Sequence, residues 1–449
     1  MADIDAVFKA YDIRGTVPDQ LDADLCHRIG AAFAAFALAQ APTDRMLMAR
    51  DMRPSGVELA GAFAAGAQSQ GVDVVDVGMA STDLIYFAAG QFDAPGAMFT
   101  ASHNPAQYNG IKLCLAGAKP VGQDTGLDEI KSMARDGVPA AMTEPGGLST
   151  RDLLADYAAH IRSFADPANL RPLRVVADTA NGMGGLVVPA VFGALPFELD
   201  ILYPELDGTF PNHPADPIQP ENQRDLQARV LEIGADVGLA FDGDADRVFL
   251  VDEQAQLLSG SLTTAIVAKG VLDKHPGATI IYNLICSKAV PEVIRENGGT
   301  PVKSRVGHSF IKQLMAETDA VFGGEHSGHY YFRENFRADS GLVATMVVLE
   351  QLCVAGVPLS KLRRPFERYA ASGEINTPVA DQQAVMERVE AAFSGCERDH
   401  LDGLTVDCGD WWFNLRPSNT EPLLRLNLEA PITDDVAKRV AEIQALMRG

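Results

Sequence analysis

The sequence predicts an α/β protein: three similar α/β domains with mixed sheets, followed by a C-terminal α+β domain. Three observations carry this. Short apolar runs alternate with stretches of helical period from Phe8 to Leu352. The alternation runs three times, and each round ends in an apolar strand that stops at a polar loop, around Ser102, Asp242 and Glu325. From Ile375 onward, consecutive strands are joined by a turn, the mark of an antiparallel arrangement. The expected domains are residues 1–146, 147–253, 254–368 and 369–449. There is no literal internal repeat, only a likeness of pattern.

In the first domain, residues 8–15 alternate apolar side chains and read as a short strand feeding a tight loop that presents Arg14. Leu25, Ile29, Phe33 and Phe36 recur at helical spacing. Residues 45–51 read as a strand, and Ser55 as the N-cap of a helix closing near Gly71. A strand over 72–77 and a helix over 84–89 lead to the strand 96–101. Tyr108-Asn109-Gly110 reads as a turn and 111–115 as a further strand. Residues 137–149, rich in Gly, Pro and Thr, form a linker.

The second domain begins with a helix over 151–164 and strands over 174–178 and 198–202. Residues 204–220 hold too many prolines for regular structure. A helix over 221–233 precedes the strand 237–241, which stops at Asp242. In the third domain, helices over 261–274, 290–296 and 310–317 alternate with strands over 279–283, 302–306 and 320–324, and a helix follows over 339–352. The last domain has strands over 375–379, 404–407, 411–415 and 423–428 and helices over 382–393 and 434–447.

Composition bounds the function. The 449 residues are 47% hydrophobic and 22% charged, as in soluble globular proteins. Sixty acidic against 37 basic residues give a net charge of −23, which argues against nucleic acid or an anionic membrane as partner. An anion site on such a chain must be built from a few clustered cations. The N-terminus lacks the basic-then-apolar pattern of a signal peptide, and no apolar run is long enough to span a bilayer, so a cytoplasmic location is expected. Six scattered cysteines without a C-x-x-C suit a reducing compartment, and neither a disulfide framework nor a zinc site is expected.

Four loops carry chemistry. Ser102 sits where a strand ends, a usual place for a reactive group in α/β domains; the plain alternative is a turn whose Ser102 and Asn104 satisfy backbone groups. Asp242, Asp244 and Asp246 alternate after a strand and would repel one another unless a hard divalent cation accepts an oxygen from each. An EF-hand competes, since Glu253 falls at the twelfth loop position, but Arg247 stands where that loop needs Gly and the flanks read as strands. A solvated acidic turn is the remaining alternative. Arg247 would orient the carboxylates or touch phosphate.

Serine is a weak nucleophile unaided, and Ser102 lacks the G-x-S-x-G setting of acyl transfer. A phosphoryl-carrying serine fits better, with His103, Lys112 and Arg14 to move a proton or balance charge. His103 is equally read as a turn residue, and Lys112, between Ile111 and Leu113, as a solvent-facing one. Glu325, Ser327 and His329 alternate in a Gly-flanked loop suited to sugar hydroxyls. Arg416, Ser418, Asn419 and Thr420 supply a guanidinium, hydroxyls, an amide and turn N–H groups, a nest for phosphate; a plain hairpin turn is the competing reading.

Taken in order, Tyr11–Gly15, Thr100–Pro105, Asp242–Arg247, Gly323–His329 and Arg416–Thr420 make the whole chain resemble the α-D-phosphohexomutase superfamily, most closely its phosphomannomutase/phosphoglucomutase branch. The resemblance implies four domains around a central cleft. It implies a phosphorylated Ser102, with Mg²⁺ held by that phosphate and by Asp242, Asp244 and Asp246. Glu325, Ser327 and His329 would bind sugar hydroxyls, and Arg416, Ser418, Asn419 and Thr420 the non-reacting phosphate. Lys112 and His308 would be proton-transfer or transition-state partners. The implied reaction interconverts hexose 6-phosphate and hexose 1-phosphate, with hexose 1,6-bisphosphate as intermediate and activator. Some relatives carry a cation within the stretch that is Asn283–Ser287 here; the nearest cation in this chain is Lys288. Phosphoglucosamine mutase is the nearest alternative, yet its relatives usually show Gln in place of His326 and Gly in place of Asn419. A metal-dependent sugar phosphatase would need no second phosphate nest.

Overall fold

The computed structural model describes residues 4–139, 141, 144–418 and 422–448. Two compact units emerge. One comprises the chain up to Ser259 together with Ser327–Ser360; the other comprises Gly260–His326 together with the chain from Lys361 onward.

The first unit holds two large sheets. In one, the strand order is Ile13–Thr16, Tyr108–Leu115, Gly96–Phe99, Arg45–Arg50, Asp73–Met79 and Leu148–Thr150, with Lys119–Pro120 beside Tyr108–Leu115. The strands from Gly96–Phe99 to Leu148–Thr150 pair in parallel, whereas Tyr108–Leu115 runs antiparallel to both its neighbours. The sheet is therefore mixed, as predicted. Its apolar face meets the helices Ala23–Gln40 and Gly56–Gln68, where Phe63 packs edge-on to Phe99, ring centroids 5.4 Å apart. Asp22 caps the first helix by accepting from the Leu25 amide.

The other sheet runs Leu257–Leu258, Val248–Asp252, Val237–Phe241, Leu173–Asp178, Phe197–Leu202. Its central strand, Val237–Phe241, is buried at every position and delivers Asp242 at its C-terminal end. Also in this unit are the antiparallel pair Tyr330–Phe332 and Ala338–Asp339, and the largely buried helix Gly341–Ala355, capped by Ser340.

In the second unit, Thr300–Ser304, Thr279–Asn283 and Phe322–Gly324 lie in parallel beside helices Gly260–Lys274, Ala289–Glu296 and His308–Thr318. The C-terminal sheet is antiparallel throughout, in the order Ala370–Pro378, Leu423–Ala430, Trp412–Pro417, Leu404–Asp407, Glu397–Asp399. With helices Gln382–Ala392 and Thr433–Arg448 it forms the expected α+β arrangement. No single helix among the described residues is long and apolar enough to cross a membrane.

Four expectations need correction. Tyr108-Asn109-Gly110 is not a turn but the start of a strand paired on both sides; a Cβ on Gly110 would lie 2.3 Å from the Ile13 carbonyl oxygen, so glycine serves close strand approach here. Arg14 lies within the strand Ile13–Thr16 rather than in a loop. Ser55 makes no side-chain cap; its Oγ instead accepts from Asn109 Nδ2 at 2.9 Å. Cys396 and Cys408 form a disulfide, against the expectation of free thiols: the hairpin register pairs Glu397 with Asp407, which sets the flanking cysteines opposite each other, Cα atoms 4.8 Å apart. The other four cysteines are buried and take no part in a disulfide.

Candidate active site

The strand Gly96–Phe99 ends at Thr100, whose Oγ1 accepts from the Ser102 amide at 2.9 Å. Ser102 adopts a left-handed backbone, φ 50°, which is uncommon for a side chain other than glycine. That turn directs Oγ to Asp242, donating to Oδ2 at 2.8 Å. Arg247 Nη2 donates to the same Oγ at 3.3 Å, and Arg247 Nε to Asp242 Oδ2 at 2.9 Å. Serine, aspartate and arginine thus form one closed, buried cluster.

His103 lies beside it, with Nδ1 3.3 Å from Ser102 Oγ and within hydrogen-bonding reach of Arg247 Nη2. Burial and the neighbouring guanidinium groups of Arg247 and Arg14 push its pKa down to about 2, so the ring is neutral and Nδ1 is the acceptor. Lys112 does not face solvent. Its Nζ donates to Asp244 Oδ2 and Asp246 Oδ2, each at 2.7 Å, and the side chain is only 15% exposed. Against the opposing effect of burial, Lys112 holds Asp244 well below the usual carboxylate range, while burial raises Asp242 despite Arg247. Arg14 reaches the loop through Asn104 Oδ1 at 2.5 Å and also pairs with Asp12.

The three aspartates follow a strand and precede another, Val248–Asp252, so the EF-hand reading fails. One carboxylate oxygen from each lies within 4.8 Å of the others. Asp244 Oδ1 and Asp246 Oδ1 are buried without a hydrogen-bond partner. An all-oxygen donor set with two orphaned anionic atoms is what a hard divalent cation such as Mg²⁺ accepts. The residues fit the ion.

In the same unit, Ser327 Oγ lies 3.0 Å from His329 Nδ1, and His329 Nε2 is 3.9 Å from Asp246 Oδ1. The structure therefore brings Arg14, Ser102, His103, Lys112, the three aspartates, Arg247, Ser327 and His329 into one unit. Glu325, Arg416, Ser418 and His308 belong to the other. There, buried Glu325 accepts from Asn283 Nδ2 at 3.1 Å and from the Gly307 amide at 3.2 Å. The next amide, Val306, donates to Asp402, which lies 3.6 Å from Arg416. Arg416 sits between Asp402 and Glu374, the latter at 3.8 Å. Ser418 is buried, its amide bonded to the Leu423 carbonyl. His308 opens the helix His308–Thr318, but its side chain is outside the described residues, as are Asn419 and Thr420. Lys288 is engaged with Asp407 and the Gly409 carbonyl, and Arg425 with Glu374 at 3.1 Å.

Three residues of the first unit escaped the sequence reading. Thr82 Oγ1 donates to Asp244 Oδ2 at 2.5 Å, and its amide to the Asp244 carbonyl at 3.1 Å. Asp83, fully buried, collects hydroxyls from Ser81 (2.5 Å), Ser340 (2.5 Å) and Tyr157 (2.6 Å). Arg53, also fully buried, pairs with Asp51 and donates to the carbonyls of Ser102, Asn104, Pro105 and Tyr108 at 2.6–3.0 Å. The spacing Asp51-x-Arg53 after a strand was the only available signal, and it is common.

Comparison with known proteins places the chain in a family. Four family models match in chain order: phosphoglucomutase/phosphomannomutase alpha/beta/alpha domain I over residues 5–138, domain II over 155–256, domain III over 259–369, and the C-terminal domain over 374–446. A phosphomannomutase of Salmonella montevideo is 39% identical over 451 residues, covering 97% of this chain and 98% of that protein. A phosphohexose mutase of Xanthomonas campestris is 40% identical, covering 98% and 99%. The crystal structure of a phosphoglucomutase/phosphomannomutase family protein from Burkholderia thailandensis superposes with a TM-score of 0.91 at 34% identity, covering 100% of this chain and 98% of that one. The chain belongs to the phosphoglucomutase/phosphomannomutase family, within the α-D-phosphohexomutase superfamily.

Proposed function

We propose that this protein is a phosphomannomutase/phosphoglucomutase that interconverts hexose 6-phosphate and hexose 1-phosphate through a phosphoryl group carried on Ser102. The observation that carries the reading is the Ser102 hydroxyl bonded to Asp242 inside a three-aspartate loop, with Arg247 and Lys112 supplying local positive charge on an acidic chain. Mg²⁺ held by Asp242, Asp244 and Asp246 would neutralise charge on the transferring phosphoryl group.

The chain's own residues do the rest. The phosphoryl group passes from Ser102 Oγ to a free sugar hydroxyl: the Oγ–P bond breaks as the sugar O–P bond forms, and the sugar proton returns to Oγ. The proton passes directly from the sugar hydroxyl to the departing Oγ, beside which His103 Nδ1 stands at 3.3 Å. Arg247 stabilises the departing oxygen at the same position. Glu325, Ser327 and His329 grip sugar hydroxyls, and Arg416 with Ser418, Asn419 and Thr420 holds the other phosphate. The bound hexose 1,6-bisphosphate then presents its second phosphate to Ser102. A single donor serine and a single phosphate nest thereby serve both sugar positions.

The test is a coupled assay with Mg²⁺ and a trace of glucose 1,6-bisphosphate. Mannose 1-phosphate and glucose 1-phosphate should both become 6-phosphates, and Ser102→Ala should abolish this. Glucosamine 1-phosphate turned over in preference to both would favour phosphoglucosamine mutase. Net release of inorganic phosphate would overturn the mutase reading.

A further inference from the structure

We infer that Arg53, covered by Phe210 of the proline-rich segment, is a positioning residue that fixes the Ser102 loop and so aims the Ser102 hydroxyl. The inference rests on the reading of Ser102 as the phosphoryl carrier. Arg53 does not touch Oγ and reaches Ser102 only through the main-chain carbonyl, so its role is indirect.

The loop that carries Ser102 has few bonds of its own: the Ser102 amide to Thr100 Oγ1, Asn104 N to the Ala101 carbonyl, and Tyr108 N to the Pro105 carbonyl. Its left-handed Ser102 needs outside support, since such a conformation is disfavoured for a residue with a Cβ. Arg53 provides it. The carbonyls of Ser102, Asn104, Pro105 and Tyr108 converge on Nη1 and Nη2, and Nε is taken by Asp51. All five N–H donors of the guanidinium are thereby used, in a planar fork that fixes the four carbonyls relative to one another. An ammonium, with three donors at one point, cannot span that set.

The second domain closes this arrangement from the other side. Phe210 lies over the guanidinium, 5.2 Å from ring centroid to Cζ. Gly208 sits against the Arg53 backbone, where a Cβ would meet Cα at 2.7 Å. Gly243, between the first two aspartates, abuts the Ser102 carbonyl, where a Cβ would stand 2.4 Å from the oxygen. The irregular segment 204–220 thus has a purpose: it presses Phe210 and Gly208 onto the template that shapes the loop. With the Ser102 carbonyl pinned between Arg53 and Gly243, its side chain is left facing Asp242.

The test measures the rate constant for phosphorylation of Ser102 by glucose 1,6-bisphosphate in full-length protein with Mg²⁺, by rapid quench and intact mass. A rate constant is independent of the fraction of molecules that are active, so a merely structural defect lowers the amplitude and leaves it unchanged. Arg53→Lys should slow the step roughly 10- to 100-fold, the scale of a small misplacement of reacting groups, while the KM for glucose 1-phosphate changes less than about threefold. Phe210→Leu, at a half-buried position, keeps the fold if Arg53→Lys does not, and should slow the step by about three- to tenfold. Wild-type rate constants in the folded variants, whatever the amplitude, would overturn the inference. Phosphorylation of Ser102→Ala would instead overturn the reading on which it rests.

Discussion

Replacing Lys112 with methionine separates the two ways in which the acidic cluster can be neutralised. Lys112 Nζ is 2.7 Å from Asp244 and from Asp246, and their other oxygens are buried without hydrogen-bond partners. Without metal, the variant leaves buried carboxylates uncompensated, a loss of about 3–5 kcal/mol in stability. With metal, the sign reverses. A dication and an ammonium about 5 Å apart repel by roughly 7 kcal/mol at an effective dielectric of 20, and Nζ shares two carboxylates with the site the dication would take. Relaxation of the site and entry of water absorb most of this. A net gain of about 1.4–2.7 kcal/mol is expected, which is a tenfold to hundredfold tighter Mg²⁺ affinity in Lys112→Met. Calorimetric titration with Mg²⁺ measures it directly. Mg²⁺ should also raise the melting temperature of the variant by more than that of the parent. Equal or weaker affinity in the variant would refute the reasoning, because Lys112 and the cation would then not share the same carboxylates.

Two further outcomes are expected. Burial raises the Asp83 carboxyl to about 7 although three hydroxyls donate to it. Between about pH 4 and pH 7 the folded state therefore holds a proton that the unfolded state has lost, and stability falls as pH rises, by on the order of 4 kcal/mol in total. Asp83→Asn removes this slope, so its melting temperature relative to the parent should climb from pH 5 to pH 8; parallel curves would mean Asp83 is ionised in the fold. The Cys396–Cys408 bond closes a loop with a sequence separation of 12, which constrains the unfolded chain by about 3 kcal/mol. Cys396→Ser with Cys408→Ser should lower the stability of the C-terminal domain by that order. Addition of a dithiol reductant should do the same to the parent, and an unchanged denaturation midpoint would rule the bond out as a support.

What the sequence disclosed, and what it withheld, follows from the range of the forces involved. Apolar strands ending at Ser102, Asp242 and Glu325 were legible because burial leaves a local trace in every strand. Lys112 was ambiguous because alternation says only that it faces away from Ile111 and Leu113, not what covers that side. The structure covers it with the aspartate loop. Tyr108–Gly110 has turn composition, yet Asn109 and Gly110 are buried in a paired strand because Gly110 lets two backbones approach. The disulfide could not be seen because hairpin register, not motif, sets Cys396 against Cys408. Arg53 and Asp83 were passed over because charged residues are usually at the surface. Only tertiary structure gathers four carbonyls around one and three hydroxyls around the other.

The loop after Ser102 is recognised by Arg53 through main-chain oxygens alone. A carbonyl is the same atom whatever the side chain, so the template does not care which residues stand at 106 and 107. Those positions can vary while the reactive serine keeps its aim. Substitution at these exposed positions leaves the four carbonyls, and the chemistry they support, in place.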